Sequence, residues 1–241
     1  MCRLAPQFFC LKQSVSAVSK FGLIGFPAAE SLSPALFHAA YGGRWPYEII
    51  EEEDFGKAFG RFLEGDFRAV NVTAPHKKSA ADAADRRSPE VECIGAANIL
   101  VKSGDGLIEA YNSDTLAVRL LVEDLPDVST AVVVGLGGAG RAALEACIKC
   151  GYKTSLLHHD ELTDSLSADL VVYTLPGAVL GTADISCRYL LEANYLTPVC
   201  SGLPGVDHYI DGRKWLLAQA VTGYSLMTGE DPDAEAMTAA I

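Results

Sequence analysis

Apolar residues along this chain fall into short blocks, each closed by a turn residue, and between them come stretches where they recur every three or four positions. KFGLIGFP (20–27) reads as a buried strand ending at a proline turn. Ser33-Pro34 then opens a helix through about Tyr41, with serine as N-cap and proline at the first helical position. YEIIEEE (47–53) is a short strand. Asp54 caps a helix whose Phe55, Phe59, Phe62 and Leu63 fall on one face. FRAVNVT (67–73) is the next strand, and Pro75, which lacks an N–H and biases Ala74 away from helix, closes it. An alanine-rich helix follows from His76 to about Asp85, and ANILVKSGDGLIEAYNSD (97–114) gives two strands around a Gly-Asp-Gly turn.

After Asp127 a second unit starts. TAVVVGLGGAGRAALEACIKCGYKTSLLHHD (130–160) is strand, glycine turn, helix, strand, the length of one βαβ crossover. DLVVYTLPG (169–177) adds a strand and RYLLEANY (188–195) another. The tail is helical by pattern in WLLAQAVTGYSLM and again from about Asp233 to Ile241. The alternation predicts an α/β fold, with a mostly parallel sheet covered by helices. The joints fall at the helix after Asn112 and around Tyr209 to Lys214.

At 241 residues the chain can bury one large core or two moderate ones. A net charge of −12 argues against nucleic acid as partner, since phosphate backbones need a clustered basic face. It leaves room for a small anionic ligand. The seven cysteines form no regular framework, and the lone Cys147/Cys150 pair falls within a helical apolar pattern. Packed, reduced thiols and a cytoplasmic setting are the expectation, with no metal site. No stretch approaches the roughly 20 apolar residues of a membrane span, so no membrane partner is expected. Residues 1–18 lack the long apolar centre of a secretory signal and read as an extension without assigned function.

Two constellations carry chemistry. Gly135, Gly137 and Gly140 fit GxGxxG directly after an apolar strand and before a helix, where glycines let the backbone approach a pyrophosphate and the helix start offers free N–H groups. Arg141 beside the turn could reinforce that charge. The next strand end, which usually meets the adenosine ribose, is His158-His159-Asp160. An acid there suits a ribose 2′-hydroxyl and repels a 2′-phosphate, whereas protonated histidines attract one. NVTAPHK (71–77) is the second constellation: an amide, a hydroxyl and an ammonium gathered at one strand end.

With the glycine turn in place, the chain resembles the shikimate dehydrogenase family over nearly its whole length after residue 19. The resemblance rests on six ordered motifs: SLS (31–33), NVTAPHK (71–77), GAANIL (95–100), NSD (112–114), GLGGAG (135–140) and DGRKWLLAQA (211–220). It implies substrate contacts from Ser31, Ser33, Thr73, Asn98, Tyr195 and Gln219, and a catalytic pair Lys77 and Asp114. It also implies a cofactor turn at Gly137, Gly138 and Ala139. By the same resemblance, residues 19–114 with 213–241 form a substrate-binding domain, and 115–212 a Rossmann-like nucleotide domain. Three departures stand out. NSD-Thr replaces the family's NTD-Gly. His158-His159-Asp160 replaces its Asn-Arg-Thr-type clamp on the cofactor's 2′-phosphate. The stretch from Asp160 to Asp169 is much shorter than the family's helix and strand, so the nucleotide domain is expected to lack one βα element.

A polyhydroxylated ring acid calls for many small polar side chains, because each buried hydroxyl left unpaired costs about 1–3 kcal/mol. Reduction of a ring ketone moves a hydride to carbon while a proton reaches oxygen. An ammonium at Lys77 can donate to that oxygen, although a free lysine titrates near about 10.4 and a carboxylate neighbour does not lower it. Which of Lys77 and Asp114 moves the proton stays open. The resemblance implies NADPH-dependent reduction of 3-dehydroshikimate to shikimate, in aromatic amino-acid (chorismate) biosynthesis, by a monomer or homodimer. A quinate-type dehydrogenase using NAD, or a homologue that binds the acid without turnover, are the alternatives.

Overall fold

The computed structural model describes residues 19–162, 165–177 and 184–241. The expected extension, 1–18, lies outside the described residues. In the first half the strands are β1 (Lys20–Gly25), β2 (Tyr47–Glu51), β3 (Phe67–Val72), β4 (Arg86–Arg87), β5 (Ile99–Lys102) and β6 (Ile108–Tyr111). They form one sheet in the order β2-β1-β3-β5-β6-β4. Three of its five pairings are parallel, and β5 runs against both neighbours because the Gly-Asp-Gly turn makes it a hairpin with β6. Helices α1 (Ser33–Tyr41), α2 (Phe55–Glu64), α3 (Lys77–Ala83) and α4 (Pro89–Ile94) connect the strands.

The second half opens with α5 (Asp114–Val122) and continues through β7 (Thr130–Val134), α6 (Gly138–Lys149), β8 (Lys153–Leu157), β9 (Ser165–Tyr173), β10 (Asp184–Glu192) and β11 (Val206–Ile210). Its sheet, β11-β10-β9-β7-β8, is parallel at every pairing. Two helices close the chain, α7 (Gly212–Thr228) and α8 (Ala234–Ala239).

Alternating side chains give each sheet two apolar faces. In the first sheet, Ile24, Val70, Val72 and Leu100 pack with Ala58 and Phe62 of α2 and Ala80 of α3. Phe21, Ala69, Ile99 and Val101 pack on the other face against Leu216, Ala220, Tyr224 and Met227 of α7. The C-terminal helix thus returns to the first sheet, and its Trp215 joins the core of the second. In the second sheet, α5 and α6 cover Ala131, Val133, Leu170 and Val172. The opposite face, with Val134, Val171, Tyr173 and Leu190, meets Val199, Cys200 and Leu203 from the segment before β11, and no α-helix among the described residues. Only residues 158–164 separate β8 from β9, and within them the described helix is a single 3-10 turn, His159–Glu161. That is the shortened nucleotide unit.

Several local expectations need correction. Ser33 is the first helical residue and Leu32 occupies the cap, without a side-chain bond. Leu63 is exposed, whereas Phe62 is buried and Phe55 and Phe59 pack partly on the core. His76, read as the start of the alanine-rich helix, occupies the N-cap of α3 and is buried: its Nε2 bonds the Glu52 carbonyl at 2.7 Å and its ring lies against Phe55. Tyr195 follows β10 rather than ending it. Burial of Cys147 bears out the packed-thiol reading, and pushes that thiol up to about 12.

Candidate active site

The end of β3 is where the first constellation assembles. Val72 donates its backbone N–H to the Asn98 carbonyl at 2.8 Å, and Asn98 donates its own to Tyr111 at 3.1 Å, so Asn98 is wedged between the ends of β3 and β6. Its side chain holds three bonds: Nδ2 donates to Ser113 Oγ (3.0 Å) and Gln219 Oε1 (3.4 Å), and Oδ1 accepts from the Ser113 N–H (2.9 Å), which leaves Oδ1 a second lone pair. Gln219 arrives from α7. That approach is close because Gly223, one turn on, has no side chain; a Cβ there would lie 3.2 Å from Ser113 Oγ and 3.8 Å from Asn71 Nδ2.

Asn112 Oδ1 accepts from the N–H groups of Asp114 (3.0 Å) and Thr115 (3.4 Å), capping α5 through its side chain. The cap fixes the buried Asp114 in the first turn, where free helical N–H groups favour a carboxylate. Lys77, first residue of α3, donates from Nζ to Asp114 Oδ2 at 2.6 Å, with the side chains 17% and 7% exposed. Thr73 sits at the same strand end, its N–H donating to the Ile24 carbonyl at 2.9 Å and its methyl lying over Gly25.

Ser31 and Ser33 form a pair of their own: Ser31 Oγ donates to Ser33 Oγ (3.1 Å) and accepts the Ser33 N–H (3.2 Å). They join the rest through two tyrosines, Tyr224 buried and Tyr47 half-buried. Tyr224 OH donates to the Ser33 carbonyl (3.0 Å), and Tyr47 OH to Asn71 Oδ1 (2.8 Å). Burial first, and the nearby Tyr224 and Tyr195 next, hold the Tyr47 phenol well above its usual range against the lowering effect of a bond with Ser33. Tyr195 is half-buried against this aromatic cluster.

The glycine turn has three distinct geometries. Gly135 adopts φ +112°, which an L side chain rarely tolerates. A Cβ on Gly140 would lie 1.8 Å from the Gly135 carbonyl oxygen, so α6 can pack this closely only with glycine there. Gly137 has nothing within 4 Å of that position, and it precedes α6 without a side-chain cap. Open space in front of uncapped helical N–H groups fits a dinucleotide pyrophosphate. Gly138 is different again: a Cβ would lie 2.9 Å from Lys77 Cδ. The turn therefore rests directly on the Lys77–Asp114 pair, and Ala139 packs behind it in the α5–α6 core.

Parallel register sets Leu157 beside Val134, and the Gly135 N–H donates to the Leu157 carbonyl at 2.9 Å. His158, His159 and Asp160 thus follow β8 directly alongside the turn. His158 Nδ1 bonds the Asp160 carboxylate, the two imidazole rings are 4.0 Å apart, and donor atoms of all three residues lie within 4.8 Å. That bond from His158 holds the exposed Asp160 below the usual carboxylate range. Arg141 is exposed, and its Nε donates to the Leu136 carbonyl at 3.3 Å.

The structure thus brings Thr73, Lys77, Asn98, Asp114 and Gln219 to one strand edge, with Gly138 against them; Ser31, Ser33 and Tyr195 lie beyond the tyrosine layer. Sequence reasoning left out Asn112, Ser113 and Tyr47. The first two stood in view within NSD, whereas nothing local marks Tyr47.

A glycine turn of this kind, closed onto a buried Lys–Asp pair, places the chain among the dinucleotide-dependent α/β dehydrogenases. Comparison with known proteins narrows the class. A family model described as the shikimate dehydrogenase substrate binding domain matches residues 23–100. The shikimate dehydrogenase (NADP(+)) of Anaeromyxobacter dehalogenans strain 2CP-1 is 30% identical over 215 residues, covering 85% of this chain and 77% of that one. The Mycobacterium tuberculosis shikimate dehydrogenase structure superposes with a TM-score of 0.73 at 27% identity, over 92% of this chain and 98% of that one. The shikimate 5-dehydrogenase of Thermus thermophilus, in complex with NADP(H) and shikimate, shares the fold with a TM-score of 0.74 at 24% identity, over 92% and 98%. The chain belongs to the shikimate dehydrogenase family.

Proposed function

We propose that this protein catalyses the reversible NADPH-dependent reduction of 3-dehydroshikimate to shikimate. One observation supports this above the others: Gly138 of the nucleotide turn is in contact with Lys77, whose ammonium is 2.6 Å from Asp114. The cofactor's site and the proton-handling pair are therefore neighbours. When bound, the nicotinamide supplies the hydride.

The chain's own residues do the remainder. Ser31 and Ser33 bind the carboxylate; Thr73, Asn98, Gln219 and Tyr195 bond the ring hydroxyls; Lys77 donates a hydrogen bond to the carbonyl oxygen as negative charge develops there. Asp114 holds the ammonium and a ring hydroxyl in register. Gly135, Gly137, Gly138, Ala139 and Gly140 take the pyrophosphate, and His158 and His159 the adenosine end. We read residues 19–114 with 213–241 as the substrate domain and 115–212 as the nucleotide domain. We read the protein as a monomer or homodimer. No helix among the described residues is long and apolar enough to cross a membrane, and the free thiols support a cytoplasmic setting.

The test is purified protein with shikimate and NADP+, following absorbance of the reduced nicotinamide. Saturable turnover is expected. Faster turnover of quinate with NAD+ would move the protein to the quinate-type reading, and calorimetric binding of shikimate with no turnover on either cofactor would make it a binder.

A further inference from the structure

We propose that His158, His159 and Asp160 form a charge-dependent reader of the cofactor's 2′ group, favouring a 2′-phosphate when the imidazoles are protonated and a free ribose diol when they are neutral. The proposal rests on the dehydrogenase reading above and extends it to cofactor selection.

Position comes first. In a βαβ nucleotide unit the end of the second strand meets the adenosine ribose. Here that end is Leu157, bonded to the glycine turn through the Gly135 N–H. The three side chains that follow are clustered and solvent-accessible, with no guanidinium among them. An arginine would carry fixed charge; a histidine pair carries charge that changes between about pH 5 and 8.

Charge comes next. Asp160 stays ionised throughout that range, since its bond from His158 lowers its carboxyl further. Glu161 on the same turn accepts the His158 backbone N–H at 2.7 Å and adds a second carboxylate, whereas Arg141 of α6 donates to the Leu136 carbonyl within the glycine turn. Residues 130–134 of β7 contain nothing titratable, and Glu145 and Lys149 farther along α6 pair with each other at 3.3 Å. With both imidazoles neutral the cluster is therefore net negative and disfavours a 2′-phosphate, while Asp160 remains an acceptor for a ribose hydroxyl. With both protonated those two carboxylates are offset, and all four ring nitrogens are donors. The phosphate stays largely dianionic down to about pH 6, so the preference grows as pH falls toward that point.

The experiment measures binding rather than turnover alone. Dissociation constants for NADP+ and NAD+ are taken by calorimetry at about pH 6, 7 and 8.5, with chelator present, bracketing the histidine range. The ratio of the two constants cancels any pH effect common to both cofactors. The expected shift toward NADP+ between the highest and lowest pH is about three- to tenfold, the scale of exposed charge pairs. His158→Gln with His159→Gln should flatten the ratio, Asp160→Asn should move it toward NADP+ at every pH, and His159→Arg should hold NADP+ preference at the alkaline end. Binding of both cofactors with a ratio independent of pH, or unchanged in these variants, overturns the proposal and leaves the dehydrogenase reading intact. Binding of neither overturns that reading, and the proposal with it.

Discussion

At the edge of the first sheet, Asn98, Ser113 and Gln219 bond one another through their side chains at 3.0–3.4 Å, whereas the second sheet presents Gly137 with no atom within 4 Å of a missing Cβ. Both regions are strand ends in a β/α alternation, and they solve opposite problems. A small ring acid with several hydroxyls needs a different donor or acceptor for each group, so the first site is dense in side chains already holding one another in place. A pyrophosphate needs backbone N–H groups and clearance, so the second site is defined by what its residues lack. The contrast extends to packing. Helices cover the first sheet on both faces; the second is closed on one face by the segment before β11.

The comparison breaks most sharply at Lys77, whose side chain bonds Asp114 and lies against Gly138. Lys77→Ala should lower turnover by about two to four orders of magnitude, the range for losing a positioned proton donor. Shikimate binding, carried by the hydroxyl and amide side chains, should change little by calorimetry. Undiminished turnover would remove the ammonium from the chemistry.

Next in size are the glycines, where two substitutions of equal volume should diverge. Gly140→Ala drives a methyl to within 1.8 Å of the Gly135 carbonyl, so α6 must move off β7. A loss of about 1–3 kcal/mol in stability, the scale of core overpacking, is expected together with loss of cofactor affinity. Gly137→Ala meets nothing within 4 Å and should leave the melting temperature unchanged while raising the dissociation constant for the nucleotide, because the methyl enters space reserved for it. Equal effects of the two on melting would refute the distinction between a packing glycine and a clearance glycine.

How far this could be read from sequence follows the same division. Gly135, Gly137 and Gly140 lie within six residues, and NVTAPHK places Thr73 and Lys77 four apart, so local spacing sufficed. Ser31 and Gln219 came only through ordered resemblance, since nothing in periodicity links positions so distant. Nothing local marked His76 as buried, because its acceptor is the carbonyl of Glu52, 24 residues earlier. α4 and β11 were passed over, being short, and β11 is interrupted by the exposed Asp207 and His208. Ser113 went uncommitted although NSD was noticed, because its partners Asn98 and Gln219 belong to other elements.

The smallest expected effect concerns a residue that anchors the loop carrying Tyr195. Glu192 ends β10 and is fully buried. Its Oε1 accepts the Val199 N–H at 2.7 Å; its Oε2 accepts the Cys200 N–H at 3.1 Å and the Tyr209 hydroxyl at 2.8 Å. Those bonds pin both ends of the loop that carries Tyr195 toward the substrate side. Glutamine keeps the shape but offers one acceptor oxygen where two were used. One backbone N–H then faces an amide nitrogen, a mismatch worth about 1–3 kcal/mol. Glu192→Gln should therefore lower the melting temperature modestly and raise KM for shikimate, with little change in nucleotide affinity. If the loop's anchoring is irrelevant to Tyr195, KM measured well below the melting transition will match the parent protein while stability still falls.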